Sequence, residues 1–142
     1  MKKLVLVLFI IAMLAGFASA QEIGVRWGDI VGNNVAVDAV FGLGGQRIHA
    51  DLSFGNSMGL EVLSDFIVAP LSGEAFYYYV GAGAFAWFGD PFQLGVLGEL
   101  GLEYRFNSVP IALGIDWRPS FRIIDSTNFH ADRFGLNVRW VF

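Results

Sequence analysis

The chain has 142 residues, no Cys and a formal charge of −4. Both Lys sit at positions 2 and 3, so the rest of the chain sets seven Arg against 13 Asp and Glu. An acidic chain with its Arg scattered singly argues against a nucleic-acid partner, and the lack of Cys removes disulfides and thiolate metal sites.

The first twenty residues read as a signal peptide. Lys2 and Lys3 precede an apolar run from Leu4 to Ala15, and Ala18-Ser19-Ala20 offers small residues for cleavage before Gln21. That run is shorter than the roughly 17–25 residues of a transmembrane helix. With no Cys near the cut, a lipid-anchored mature chain is not expected. Residues 21–142 then form one domain. Its longest uncharged stretch, Ala75 to Gly89, is broken by Gly81 and Gly83, so any membrane crossing must use strands closed into a barrel.

Alternation with a period of two recurs along this domain, and helical spacing does not persist. It predicts eight strands, near 22–28, 33–41, 46–54, 57–67, 75–88, 92–106, 110–121 and 132–142. In the first, second and fourth, Arg26, Asp38, Glu61 and Asp65 oppose Val25, Val37, Leu60 and Val62. In the third, Arg47, His49, Asp51 and Ser53 oppose Ile48, Ala50, Leu52 and Phe54. The fifth sets Tyr79, Gly81, Gly83, Phe85 and Trp87 against Tyr78, Val80, Ala82, Ala84 and Ala86, and the sixth sets Glu99, Glu103 and Arg105 against Leu100, Leu102 and Tyr104. In the seventh, Asp116 and Arg118 oppose Ile115 and Trp117; in the last, Arg133 and Arg139 oppose Phe134, Leu136, Val138, Trp140 and Phe142. Turn-prone pieces separate the strands, at Asp29–Gly32, Gly42–Gly45, Gly55-Asn56, Pro70–Gly73, Gly89–Pro91, Asn107–Pro110 and Asp125–Ala131, the last being the one longer loop. Short connections imply an antiparallel, up-and-down meander.

Two features orient the faces. Gly24, Gly59, Gly81, Gly83, Gly95, Gly101, Gly114 and Gly135 share the charged parity, which suits the narrow interior of an eight-stranded barrel better than a solvated surface. Trp27, Trp117, Trp140, Tyr104, Phe106 and Phe142 lie on the apolar parity near strand ends, as aromatic girdles do at the two interfaces. The expected fold is therefore an all-β, eight-stranded antiparallel transmembrane β-barrel with lipid outside and charge inside.

With these residues in view, the chain resembles the small eight-stranded outer-membrane barrels of the OmpX and OmpA-membrane-domain type. It is more similar still to small outer-membrane barrel proteins common in the Bacteroidetes. The stretches that carry the likeness are Gly101-Leu102-Glu103-Tyr104-Arg105-Phe106, Pro110 through Pro119, Tyr79 through Gly83, and Phe134 through Arg139. The resemblance implies a place in the outer membrane of a Gram-negative bacterium, with outer-membrane lipid around the barrel. It also implies that the strand ending at Phe142 is the signal read by the barrel-insertion machinery. It implies no reaction. Adhesive OmpX-like barrels carry long outer loops, whereas only Asp125–Ala131 is long here.

Candidate chemistry is thin. His49 and Ser53 share a face but stand about 13 Å apart along an extended strand, too far to pair as base and nucleophile. His130 lies near Ser126 and Asp125 in the last loop, which defines no triad. His49 and Asp51 could meet a cross-strand acid around a metal, but a polar interior satisfied by Arg accounts for them equally. Gly42-Leu43-Gly44-Gly45 lacks the following Lys and Ser or Thr of a nucleotide loop. No catalytic, cofactor or metal residue is assigned. The expected role is that of a packed, non-catalytic, non-conducting barrel with a structural or interaction part, its partner an unidentified envelope protein. The alternatives are a narrow pore for small solutes and a lipid-modifying enzyme. Eight inward acids, Glu22, Asp38, Asp51, Glu61, Asp65, Glu99, Glu103 and Asp116, should form networks with Arg26, Arg47, Arg105, Arg118, Arg133 and Arg139. In the expected layout an acid of the sixth strand links Asp116 or Arg118 to Arg133 or Arg139.

Overall fold

The computed structural model describes residues 2–4, 8, 21–30, 33–43, 46–55, 57–72, 75–90, 92–124 and 128–142. Most of the expected signal segment, with its cleavage motif, lies outside the described residues. No helix among the described residues is long and apolar enough to cross a membrane.

Among the described residues ten strands follow in chain order: β1 (Glu22–Ile30), β2 (Asn33–Leu43), β3 (Gln46–Ser53), β4 (Gly59–Ser72), β5 (Phe76–Trp87), β6 (Gln93–Arg105), β7 (Ile111–Trp117), β8 (Ser120–Ile124), β9 (Asn128–His130) and β10 (Phe134–Val141). Each of β1 to β6 pairs antiparallel with the next. β7 pairs with residues 100–105 of β6 and β8 with residues 94–97 of the same strand, so β7 and β8 share one place in the wall. β9 lies on β8, while β10 lies between β7 and β1 and closes the ring. The result is an eight-stranded antiparallel closed barrel whose last two positions are each broken into two pieces.

The breaks depart from the continuous strands 110–121 and 132–142 expected from the sequence. Pro119 has no N–H for the ladder, and the chain steps there between β7 and β8. Backbone bonds from Arg118 N to Arg133 O (2.8 Å) and from Gly98 N to Pro119 O (2.9 Å) hold the wall together at the step. The long outer loop is also shorter than expected. Asn128–His130 pairs with Ser120–Arg122, leaving 125–127 of that loop outside the described residues. A third difference concerns the fourth strand. β4 runs on to Ser72 through the expected turn, with Pro70 opposite Tyr77. Register shifts between Asp65 and Ile67 and between Pro70 and Ser72 admit the proline, as bulges do.

The face assignment is clear. The charged parity is buried inside the ring, while Val37, Val62, Val96, Leu102, Ile115, Leu136 and Trp140 are exposed on the outer wall. The glycines clear the bore for large neighbours. A Cβ at Gly101 would strike the Tyr79 ring, one at Gly95 the Phe85 ring, and one at Gly135 the Arg26 guanidinium. The termini share one end of the barrel, where Phe142 N donates to Gln21 O (2.9 Å) and Gln21 N to Val40 O (2.8 Å).

Candidate functional site: the ion-paired bore

Inward projection from a closed ring brings side chains from distant strands within reach of one another, and two Arg-centred networks fill the middle of the bore. Arg118, on the step after β7, is wholly buried. Its Nη1 reaches Asp51 Oδ2 (2.5 Å) on β3 and Glu61 Oε2 (2.7 Å) on β4, and its Nη2 reaches Glu99 Oε1 (2.9 Å) on β6. Glu61 passes the network on to Arg133 (2.7 Å). Arg26 of β1 grips Asp116 with Nε and Nη2, and Asn137 donates to the same carboxylate at 3.1 Å.

The second network lies toward the chain termini. Arg139 reaches Glu22 Oε1 (3.2 Å), Asp38 Oδ2 (3.3 Å) and Glu103 Oε1. Glu103 also receives Arg105 (2.7 Å) and Arg47 (3.3 Å), and Arg47 continues to Asp65 (2.8 Å). Arg is suited to these positions because its planar fork spans carboxylates on separate strands. A buried charge without such partners would be very costly.

His49 sits inside the second network, fully buried. Its Nε2 lies 2.6 Å from Asp65 Oδ2 and its Nδ1 3.5 Å from Asp38 Oδ1. Tyr79 stacks on the imidazole at 5.7 Å between centroids, and the Arg47 guanidinium lies 4.7 Å above the tyrosine ring.

The expected networks are present, with one change of linker. Glu61 of β4, not an acid of the sixth strand, joins Arg118 to Arg133; Glu103 of the sixth strand instead gathers Arg47, Arg105 and Arg139. Likewise, the acids that meet His49 are Asp65 and Asp38, while Asp51 is taken by Arg118. His130 is exposed at the far rim, in register with Ser120; Asp125 and Ser126 lie outside the described residues. Ser53 accepts from Asn33 Nδ2 at 3.0 Å and donates to Gly59 O, a bonding pattern of a strand end.

The bore also has an apolar layer. Leu63, Phe85 and Leu97 pack together, with Trp87 against them. Phe85, Trp87 and Leu97 fall on the inward parity of their strands; Leu63 carries the same parity on β4 and is the missed signal. At the opposite end, a vestibule of about 820 Å³ opens between Gln21, Gln46, Tyr77 and Arg105, with Glu22, Arg47 and Asp65 in its lining.

The chain matches no protein-family model, no curated protein and no solved structure. The small closed eight-stranded antiparallel barrel is the part of the resemblance seen in the sequence that the fold itself carries.

Proposed function

We propose that the protein is an integral outer-membrane barrel of a Gram-negative bacterium, with a structural or interaction role and neither catalysis nor conduction. One observation carries the reading: in a closed ring, the apolar face points outward and the ion-paired face points inward. A barrel dissolved in water needs the opposite arrangement, since lipid is the solvent that favours an apolar outer wall. Strands of 9, 11, 12 and 13 residues in β1, β2, β5 and β6 support it, because a tilted strand needs about 9–11 residues to cross the hydrocarbon. Exposed Trp27, Phe134 and Phe129 toward one end, and Phe106, Trp140 and Phe142 toward the other, are placed as interfacial anchors are. On this reading the finer likeness to OmpX-type and Bacteroidetes barrels holds. Outer-membrane lipid and the insertion machinery, acting on the strand that ends at Phe142, are then the first partners, and an envelope protein is the functional one.

The absence of catalysis rests on the bore. Every Arg of the bore is engaged by acids, and His49 is bound to Asp65, with no Ser or Thr hydroxyl hydrogen-bonded to it among the described residues. The test is fractionation of cells expressing the full chain. A heat-modifiable species that stays with outer membranes through alkaline carbonate washing is expected. Recovery of the folded chain in the soluble periplasmic fraction would overturn the reading.

A further inference from the structure

The buried charges of the bore do not balance. Glu22, Asp38, Asp51, Glu61, Asp65, Glu99, Glu103 and Asp116 are all buried. Six guanidinium groups meet them, those of Arg26, Arg47, Arg105, Arg118, Arg133 and Arg139. Two negative charges are left over while the imidazole of His49 is neutral, and one when it is protonated between Asp65 and Asp38; an excess in the buried part of the bore is not sustained without a counter-charge.

The place where a counter-charge fits can be identified. His49, Asp65 and Glu99 each offer a ligand atom, and these atoms lie within 4.8 Å of one another. The Arg partners of both acids leave one oxygen open. Arg118 takes Glu99 Oε1 through Nε and Nη2, and Arg47 takes Asp65 Oδ2. Glu99 Oε2 and Asp65 Oδ1 are buried and accept no hydrogen bond from the described residues. The hydroxyl of Tyr79, whose ring stacks on His49, is likewise buried without a partner.

We propose that His49, Asp65 and Glu99 form a binding site for one divalent first-row transition ion inside the barrel. The donor set, one imidazole nitrogen and two carboxylate oxygens, suits zinc and its neighbours. Asp38 Oδ1 faces His49 Nδ1, the outer carboxylate that turns the Nε2 lone pair toward a metal. Ligands held at about 2.0–2.2 Å from such an ion stand about 3–3.5 Å apart. His49 Nε2 now shares a proton with Asp65 Oδ2 at 2.6 Å, and the ligand atoms of the set all lie within 4.8 Å of one another, so an ion that replaces that proton needs only small side-chain adjustments to be reached by all three. Asp65 lines the vestibule at the terminal end, which gives an ion its way in. The bound ion's two charges match the excess. The site needs only the closed barrel and stands apart from the membrane reading.

The test uses the purified, folded full chain, stripped with a chelator and titrated with Zn²⁺ by calorimetry, and with Co²⁺ by visible absorption. Binding of about one ion per chain is expected, with a rise in the unfolding midpoint as Zn²⁺ is added. His49→Gln and Glu99→Gln should each weaken binding at least about tenfold. Asp51→Asn, which lowers the excess by one charge on the same Arg118 but leaves the triad intact, should weaken binding clearly less than Glu99→Gln does. Gel mobility without heating checks that each variant is folded. If His49→Gln does not fold, the imidazole-dependent Co²⁺ spectrum of the parent and its change in Glu99→Gln decide the matter. Sub-stoichiometric binding by the parent would overturn the site and leave protons as the counter-charge. Equal weakening in Asp51→Asn and Glu99→Gln would overturn it in favour of a diffuse field.

Discussion

Arg139 on β10 and Glu103 on β6 form an ion pair that passes over β7, the strand between them. The residues of β7 in register with this pair are Ala112, opposite Arg139, and Gly114, opposite Glu103. Neither has a side chain large enough to obstruct the bond. Small residues on one strand thus allow charges on its two neighbours to meet.

Glu103 is the carboxylate that meets the most guanidinium groups among the described residues, those of Arg47, Arg105 and Arg139, each of which keeps at least one other acid. Glu103→Leu should destabilise the barrel by roughly 3–5 kcal/mol, less to the extent that the vestibule lets water reach the freed guanidinium groups. Leu102→Ala, one residue away on the outer wall and 47% exposed, should cost less. Reversible unfolding in lipid vesicles checks both. A near-parental Glu103→Leu beside a severely weakened Leu102→Ala would mean that the faces are reversed.

Gly101 and Gly98 differ in the same way without involving charge. A Cβ at Gly101 meets the ring of Tyr79, which His49 and Arg47 hold in place, whereas one at Gly98 has nothing nearer than 3.9 Å. Gly101→Ala should cost about 1–3 kcal/mol by overpacking, and Gly98→Ala less than about 0.5 kcal/mol. Equal effects in the same unfolding assay would show that the bore has slack beside Tyr79.

The contrast explains what could be read from the sequence. Alternation exposes faces directly, because a strand's side chains project to opposite sides with a period of two. Glycines sharing the charged parity then showed which face had to be narrow. Eight strands and their inward acids followed from this. The pairing of particular charges did not follow, because it depends on how far neighbouring strands are offset around the ring. That offset brings Glu61 of β4, and not an acid of β6, between Arg118 and Arg133. It also sets Asp65 beside His49, sixteen residues away in sequence. Alternation ran the seventh strand through Pro119 to 121; the missing N–H there, and its consequence, β8 and β9 extending the wall into the last loop, became decisive only through pairing with β6.

An even number of wall positions places Glu22 and Phe142 at one end of the barrel, and on the proposed outer-membrane reading, entry from the periplasm would put that end on the periplasmic side. Gly44 and Ser126, natural positions for epitope tags, lie outside the described residues, so exposed Asp90 and Asn107 serve instead. The chain has no Cys, and a thiol introduced at either site is therefore unique. Asp90→Cys should react with an impermeant maleimide on intact cells, and Asn107→Cys only after the outer membrane is opened. Labelling in the reverse order would invert the topology.

Phe142 is 75% exposed, and its backbone N–H bonds to Gln21 O. One hydrogen bond and an outward aromatic ring make a small contribution to the finished barrel. Removing Phe142 should therefore lower the yield of inserted barrel far more than it lowers the stability of the fraction that does insert. The ratio of heat-modifiable membrane species to periplasmic precursor measures the first, and vesicle unfolding the second. Parental yield from the truncated chain would remove the role in assembly.

The last prediction concerns conduction. From the terminal end, the vestibule gives way to Arg139 with its three acids, then to Arg118 with Asp51, Glu61 and Glu99, and Leu63, Phe85 and Leu97 pack beside these charges, Phe85 opposite Glu61 and Leu63 opposite His49. A hydrated ion passing through would have to displace paired charges twice and push past an apolar cluster. Barrels of eight strands have interiors only just wide enough for their own side chains. In planar bilayers the parent chain should give no open steps of nanosiemens size. Phe85→Ala combined with Leu97→Ala should not create them either, because both ion-paired layers remain across the path. Arg118→Ala, which removes the centre of one layer, is the variant expected to leak, in brief and small events. Stable large steps from the parent chain would show that the networks open as a gate, and the narrow-pore reading would then replace the packed one.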